Sequence, residues 1–155
     1  SLVDSYVASN PRFLRRDWLA EEVDARMAEP GCRFVLLTAE PGAAVSVELI
    51  WQPLRSESRN LVRFAQLLDS GGALVAQQDT IPCSGECPAT SWLAGEYLLD
   101  GVTLLMPDTL PAGDYRFITG WYDAETQVRL AAVDGDGAPL PDNVVDLPLR
   151  VSAGQ

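Results

Sequence analysis

The chain has no histidine and no lysine, and only three of its 155 residues are cysteine. Without an imidazole, the commonest general base and a leading metal ligand are missing. A serine triad of the usual kind lacks its base. Without lysine, arginine supplies all 11 basic residues, set against 22 acids, for a net charge of −11. Nucleic acid is therefore a poor partner, because phosphate binding needs a basic patch for counterion release. An anionic membrane surface is disfavoured for the same reason, and the acidity favours solubility instead. No apolar run approaches the ~20 residues of a transmembrane helix. No signal-peptide pattern is present, as expected of a mature or excised fragment or of a cytosolic protein. Apolar residues make up 47% of the chain, which excludes a disordered segment. The length suits one domain that buries roughly 70% of its unfolded surface.

What the chain does have is β-pattern. Val45, Val47, Leu49 and Trp51 alternate with Ser46, Glu48, Ile50 and Gln52, a strand with one apolar face. Cys32 opens a further apolar strand at Phe34–Leu37. Leu61–Leu68 is apolar on both faces and reads as a central strand. Asp69-Ser70-Gly71-Gly72 is a hairpin turn into Ala73–Gln78. Tyr97–Met106 follows a long loop and invites a bulge at Gly101. Tyr115, Phe117, Thr119 and Trp121 share one face of the next strand, and Val128–Val133 returns from it. Pro148 interrupts the last strand, Val144–Val151, and assigns it to an edge. About eight short strands at this spacing predict an all-β fold, an antiparallel immunoglobulin-like β-sandwich. Trp51, Phe117 and Trp121 are expected in its core. The step Gly113-Asp114-Tyr115 suits a tyrosine corner, in which the hydroxyl bonds back to upstream backbone.

Residues 1–31 differ from the rest. Trp18, Leu19, Val23 and Met27 fall on one helical face, Asp17 suits an N-cap, and Pro30-Gly31 stops the segment. An N-terminal arm and short amphipathic helix over 1–31, docked through Trp18, thus precede a β-sandwich domain over 32–155.

Cys83 and Cys87 bracket Ser84-Gly85-Glu86 between Pro82 and Pro88. A disulfide closing this ring stabilises by only ~2 kcal/mol, enough to pin a loop. It implies an oxidising compartment. Zinc is the rival reading, but no histidine and no second cysteine pair complete its ligand set. Cys32 reads as a buried free thiol. No cofactor pattern stands out. Asp134-Gly135-Asp136-Gly137 with Asp142 and Asn143 invites a calcium site, although the EF-hand spacing fails and a solvated turn competes.

Trp92 is the candidate for stacking on a sugar ring, with Asp79 and Glu96 as hydroxyl ligands. The competing role for Trp92 is a lid on the core. Asp79 and Glu96 could also be read as a glycosidase pair, on no more evidence than two acids among 22.

Phe64-Ala65-Gln66-Leu67-Leu68-Asp69, Leu74-Val75-Ala76-Gln77-Gln78-Asp79, Pro88–Glu96, Leu110–Arg116 and Gly120-Trp121-Tyr122-Asp123 form an ordered series. The series resembles the soluble β-sandwich domains that follow the multi-span region of some bacterial membrane glycosyltransferases, of the dolichyl-phosphate-mannose-protein mannosyltransferase-like type. The resemblance covers roughly Phe34 to Leu130. It implies a non-catalytic, extracytoplasmic accessory domain of a membrane-anchored protein, with the parent membrane region as partner and glycan or acceptor as contact. Such domains often carry a histidine where this chain has Gln66 or Gln78, so no histidine-dependent role transfers. The alternative is a free-standing secreted or periplasmic module binding carbohydrate or protein.

Overall fold

Inward-facing apolar residues at every second position build two β-sheets that share one core. The computed structural model describes residues 35–153. The expected helix over 17–27, Trp18 and Cys32 lie outside the described residues. Seven strands are present among them: β1 (Val35–Ala39), β2 (Ala44–Trp51), β3 (Leu61–Leu68), β4 (Leu74–Thr80), β5 (Leu98–Leu105), β6 (Gly113–Asp123) and β7 (Val145–Ala153). The larger sheet has the order β1-β7-β6-β3-β4, and the smaller one pairs β2 with β5. Val45 and Leu49 of β2 and Val102 and Leu104 of β5 meet Ala65, Leu67 and Phe117 of the larger sheet in one buried cluster. Phe117 is fully buried, while Trp51 and Trp121 are half-buried at one end of the core.

Four expectations need correction. The strand at Phe34–Leu37 does not join an antiparallel ladder: β1 runs parallel to β7, from Val35 opposite Leu149 to Ala39 opposite Ala153. Pro148 does not mark an edge, because β7 lies between β1 and β6. The β6–β7 register shifts between Arg116, opposite Arg150, and Ile118, opposite Asp146. The proline therefore sits in an irregularity where its missing N–H interrupts no regular ladder. Gly101 makes no bulge; it pairs in unbroken register with Glu48. Val128–Val133 forms no ladder, only isolated bridges from Tyr122 to Arg129 and from Val133 to Pro139. Two backbone bonds to β6 hold the start of this segment, Leu130 N–H to the Trp121 carbonyl and Asp123 N–H to the Val128 carbonyl.

The inward row of β3 contains a charge. Arg63 and Asp100 of β5 are both wholly buried. Arg63 Nε donates to Asp100 Oδ2 at 2.8 Å and Nη2 to Oδ1 at 3.1 Å. Its other donors reach the carbonyl and the side-chain oxygen of Gln78 on β4, at 2.9 and 3.1 Å. Trp51 Nε1 on β2 adds a third bond to Asp100, at 3.0 Å. The network thus spans both sheets and ties β2, β3, β4 and β5 together.

The tyrosine corner is present. Tyr115 is buried and its hydroxyl donates to the carbonyl of Pro111. Burial, and then the charge of Asp69, hold the phenol above its ordinary pKa of 10.0.

Removing one member of a buried ion pair strands the other, at a cost of about 3–5 kcal/mol. Asp100→Ala and Arg63→Met should each show that loss in urea unfolding. Arg63→Met combined with Asp100→Leu should recover most of it; additive losses would show that the pair is not one unit. Tyr115→Phe should cost about 0.5–1.5 kcal/mol, one net hydrogen bond. The raised phenol pKa gives stability that is complete below pH 10 and lost as pH rises through the folded-state value. The wild-type thermal midpoint should therefore fall more steeply above pH 10 than that of Tyr115→Phe, and parallel curves would count against the assignment.

Candidate functional site

The larger sheet has a second face, turned away from the core. Phe64, Gln66 and Leu68 of β3 point there, opposite Gly120, Ile118 and Arg116 of β6. Phe64, Ile118 and Val144 form a small buried cluster on this face. The β6–β7 connection brings Val144 and Arg129 onto it, and the Arg129 guanidinium lies 4.6 Å from the centre of the Phe64 ring. Gly120 is required beneath that ring: a Cβ there would stand 2.6 Å from Phe64 Cζ.

Between the β3–β4 hairpin and the connection runs a groove of about 470 Å³, floored by Gln66, Leu68 and Ile118 and walled by Arg116, Arg129 and Asn143. A smaller hollow of about 160 Å³ continues it, lined by Phe64, Gln66, Asp79, Tyr122, Gln127 and Arg129. The Tyr122 hydroxyl bonds to the Asp79 carboxylate. Burial, then the Asp79 charge, raise the Tyr122 phenol above its ordinary pKa. Arg116 is held by Asp146, with Nε and Nη2 at 2.9 and 2.8 Å from Oδ2. Arg129 Nη1 donates to the Asp142 carbonyl at 3.1 Å. Three non-glycine residues at the rim, Gln127, Asp142 and Asn143, have φ of 60°, 56° and 55°. Such left-handed backbone is uncommon outside glycine, least so for asparagine and aspartate.

The structure keeps Glu96 beside Trp92, bonded to Leu93, but sets Asp79 apart from both. Asp79 opens onto the outer face beside Tyr122. Trp92 packs on the core side, its ring 5.1 Å from Trp121 in an edge-on contact, and Trp121 repeats that contact with Trp51 at 4.9 Å. The larger sheet stands between the two. Glu96 is 5% exposed and its Oε1 accepts the Leu93 N–H at 2.9 Å. Asp79 and Glu96 therefore do not flank a shared cleft as a glycosidase pair must.

Trp92 is half-buried, and its Nε1 donates to the Cys87 carbonyl at 3.0 Å. Cys83 and Cys87 are joined by a disulfide across a Cα separation of 5.5 Å. The disulfide ring thus positions the acceptor that holds the indole over the aromatic cluster. The β4–β5 loop is also anchored just past the end of β2, through Gly95 N–H to the Pro53 carbonyl and Gln52 Nε2 to the Gly95 carbonyl. At Asp134, Oδ1 accepts the N–H groups of Asp136 and Ala138 at 2.9 and 2.8 Å. Asp69 treats Gly71 and Ala73 identically, so both segments are the same aspartate-capped turn.

No family model matches the sequence, and no curated protein is significantly similar to it. Among solved structures, the chain is similar to a family 123 glycoside hydrolase from Clostridium perfringens, described for glycolipid glycan hydrolysis. The TM-score is 0.47 and the identity 9%, covering 87% of this chain and 25% of that one. This chain thus spans about a quarter of that enzyme's length, and a likeness of this degree says nothing about activity.

Trp92→Ala should destabilise by less than the ~3–5 kcal/mol of a fully buried aromatic, but clearly more than a surface change. Reduction of the Cys83–Cys87 bond should cost at most ~2 kcal/mol and change tryptophan fluorescence, because the Cys87 carbonyl is then freer to leave the indole. A mutant as stable as wild type, with fluorescence indifferent to reductant, would refute the lid role.

Proposed function

We propose that this domain is a non-catalytic accessory module of a membrane-bound glycosyltransferase, standing outside the cytoplasm and contacting glycan or acceptor. Its frame is an immunoglobulin-like sandwich. In that arrangement strands B and E share one sheet and C, F and G the other, with a tyrosine corner near the start of F. The β2–β5 and β3–β6–β7 groupings support this reading, as does Tyr115 near the start of β6. Phe117 then occupies the place of the second cysteine of antibody domains, two residues after the tyrosine.

The observation that carries the functional reading is the outer-face groove. It is open and lined by amides, guanidinium groups and carboxylates around an apolar floor, groups able to hydrogen-bond a polar ligand. The Cys83–Cys87 disulfide supports an oxidising compartment. Among the described residues no helix is long and apolar enough to cross a membrane, so anchoring is assigned to the parent chain. The ordered series from Phe64 to Asp123 supports that parent being of the mannosyltransferase-like type.

Sequencing the complete reading frame tests this directly. A multi-span region continuous with Ser1 is expected, together with Cys83 and Cys87 that resist alkylation in unreduced membranes. A reading frame without membrane spans would favour the free-standing binding module instead. Three reactive thiols in the native protein would overturn the extracytoplasmic placement.

A further inference from the structure

The groove on the outer face has donors and acceptors in balance. Arg116 and Arg129 supply positive charge, but Arg116 is already paired with Asp146, and Asp142 and Asp79 lie along the same path. Positive charge is therefore not in excess, within a chain whose net charge is −11. An anionic ligand gains little there. Arg129 makes no ion pair among the described residues. Its stacking on Phe64 and its bond to the Asp142 carbonyl hold the guanidinium in place with further N–H donors to spare. Gln66, Gln127 and Asn143 add planar amides, each both donor and acceptor. Leu68 and Ile118 give the floor apolar patches, and the half-buried Tyr122 ring closes the far end.

We infer that this groove binds a stretch of uncharged glycan, several sugar rings long. Neighbouring ring hydroxyls both donate and accept, which is what flat amide, guanidinium and carboxylate groups satisfy in pairs. The C–H faces of the rings rest on the apolar floor. The groove lies within the ~300–1,000 Å³ typical of ligand sites and stays open along its length, as a chain ligand needs. The inference deepens the accessory-module reading and rests on it, by naming the class of ligand that the outer-face groove holds.

The test is a titration of ¹⁵N-labelled domain with neutral linear oligosaccharides, namely mannan, glucan and xylan fragments, and with uronate oligomers of matched length. At least one neutral series should shift the side-chain amide signals of Gln66, Gln127 and Asn143 and the backbone signals of Ile118 and Gly120. The Trp92 indole signal should stay in place. Arg129→Ala should weaken binding about tenfold or more, the loss of charged hydrogen bonds. Gln66→Ala, which removes only a groove-facing amide, should weaken it as well and guards against a folding defect in the first variant. Shifts centred on Trp92, a response to uronates alone, or no response to any series up to ~10 mM would each overturn the inference. None of these results bears on which parent chain carries the domain, which the reading frame decides separately.

Discussion

The Arg63–Asp100 pair is the constraint on which the rest depends. Arg63 and Asp100 face each other from the inner sides of the two sheets, wholly removed from water. Such burial is tolerable only if every donor and acceptor finds a partner. Gln78 from one flank and Trp51 from the other bring the total to four bonds from Arg63 and three to Asp100. Sliding the sheets past one another would break several bonds at once, so the network specifies how β2–β5 sits on β3–β4. It also brings Trp51 to Trp121, which in turn seats Trp92. The disulfide loop is thus the outermost layer of a stack whose innermost member is an ion pair.

The two faces of the larger sheet do different work. The inner face is apolar around one ionic network. The outer face carries a small apolar cluster under Phe64 and otherwise polar groups left open to solvent. The long β6–β7 connection could have covered this face entirely. Instead it touches down at Arg129 and at Asp142–Val144 and leaves a channel between these contacts and the β3–β4 hairpin. Gly120 permits this arrangement, since any larger residue would lift Phe64 and the guanidinium resting on it.

Much of the fold was legible because period-two alternation is a direct record of which side faces the core. The Tyr115 phase, the Asp69 hairpin and the cysteine ring were read from local chemistry alone. What alternation does not record is which strands become neighbours. For that reason the parallel pairing of β1 and the interior place of β7 were missed, and Pro148 misled. The Val128–Val133 segment misled for another reason: it meets β6 only through the Tyr122–Arg129 bridge and leaves Val128 and Val133 exposed. The ion pair left a readable trace. Arg63 stands in the inward row Leu61, Ala65, Leu67, and Asp100 in the inward row Leu98, Val102, Leu104. Opposite charges in the inward phases of two strands signal a buried bridge. The candidate site was legible only at Asp79. Tryptophan drew attention to the inner face, while the groove residues are unremarkable one by one and meet only through the path of the β6–β7 connection.

Among the described residues the smaller sheet has two strands. A ladder of that size is marginal by itself in water. Its backbone bonds persist because the inward residues of β2 and β5 are docked on the opposite layer, and the docking is shared between apolar contacts and one ionic network. Cooperativity in this domain is therefore unequal. The β3–β6 centre, flanked by strands on both sides, is the part that can close first and open last. Any local opening of the β2–β5 pair would expose Asp100 to water, and closing it would have to desolvate that carboxylate again.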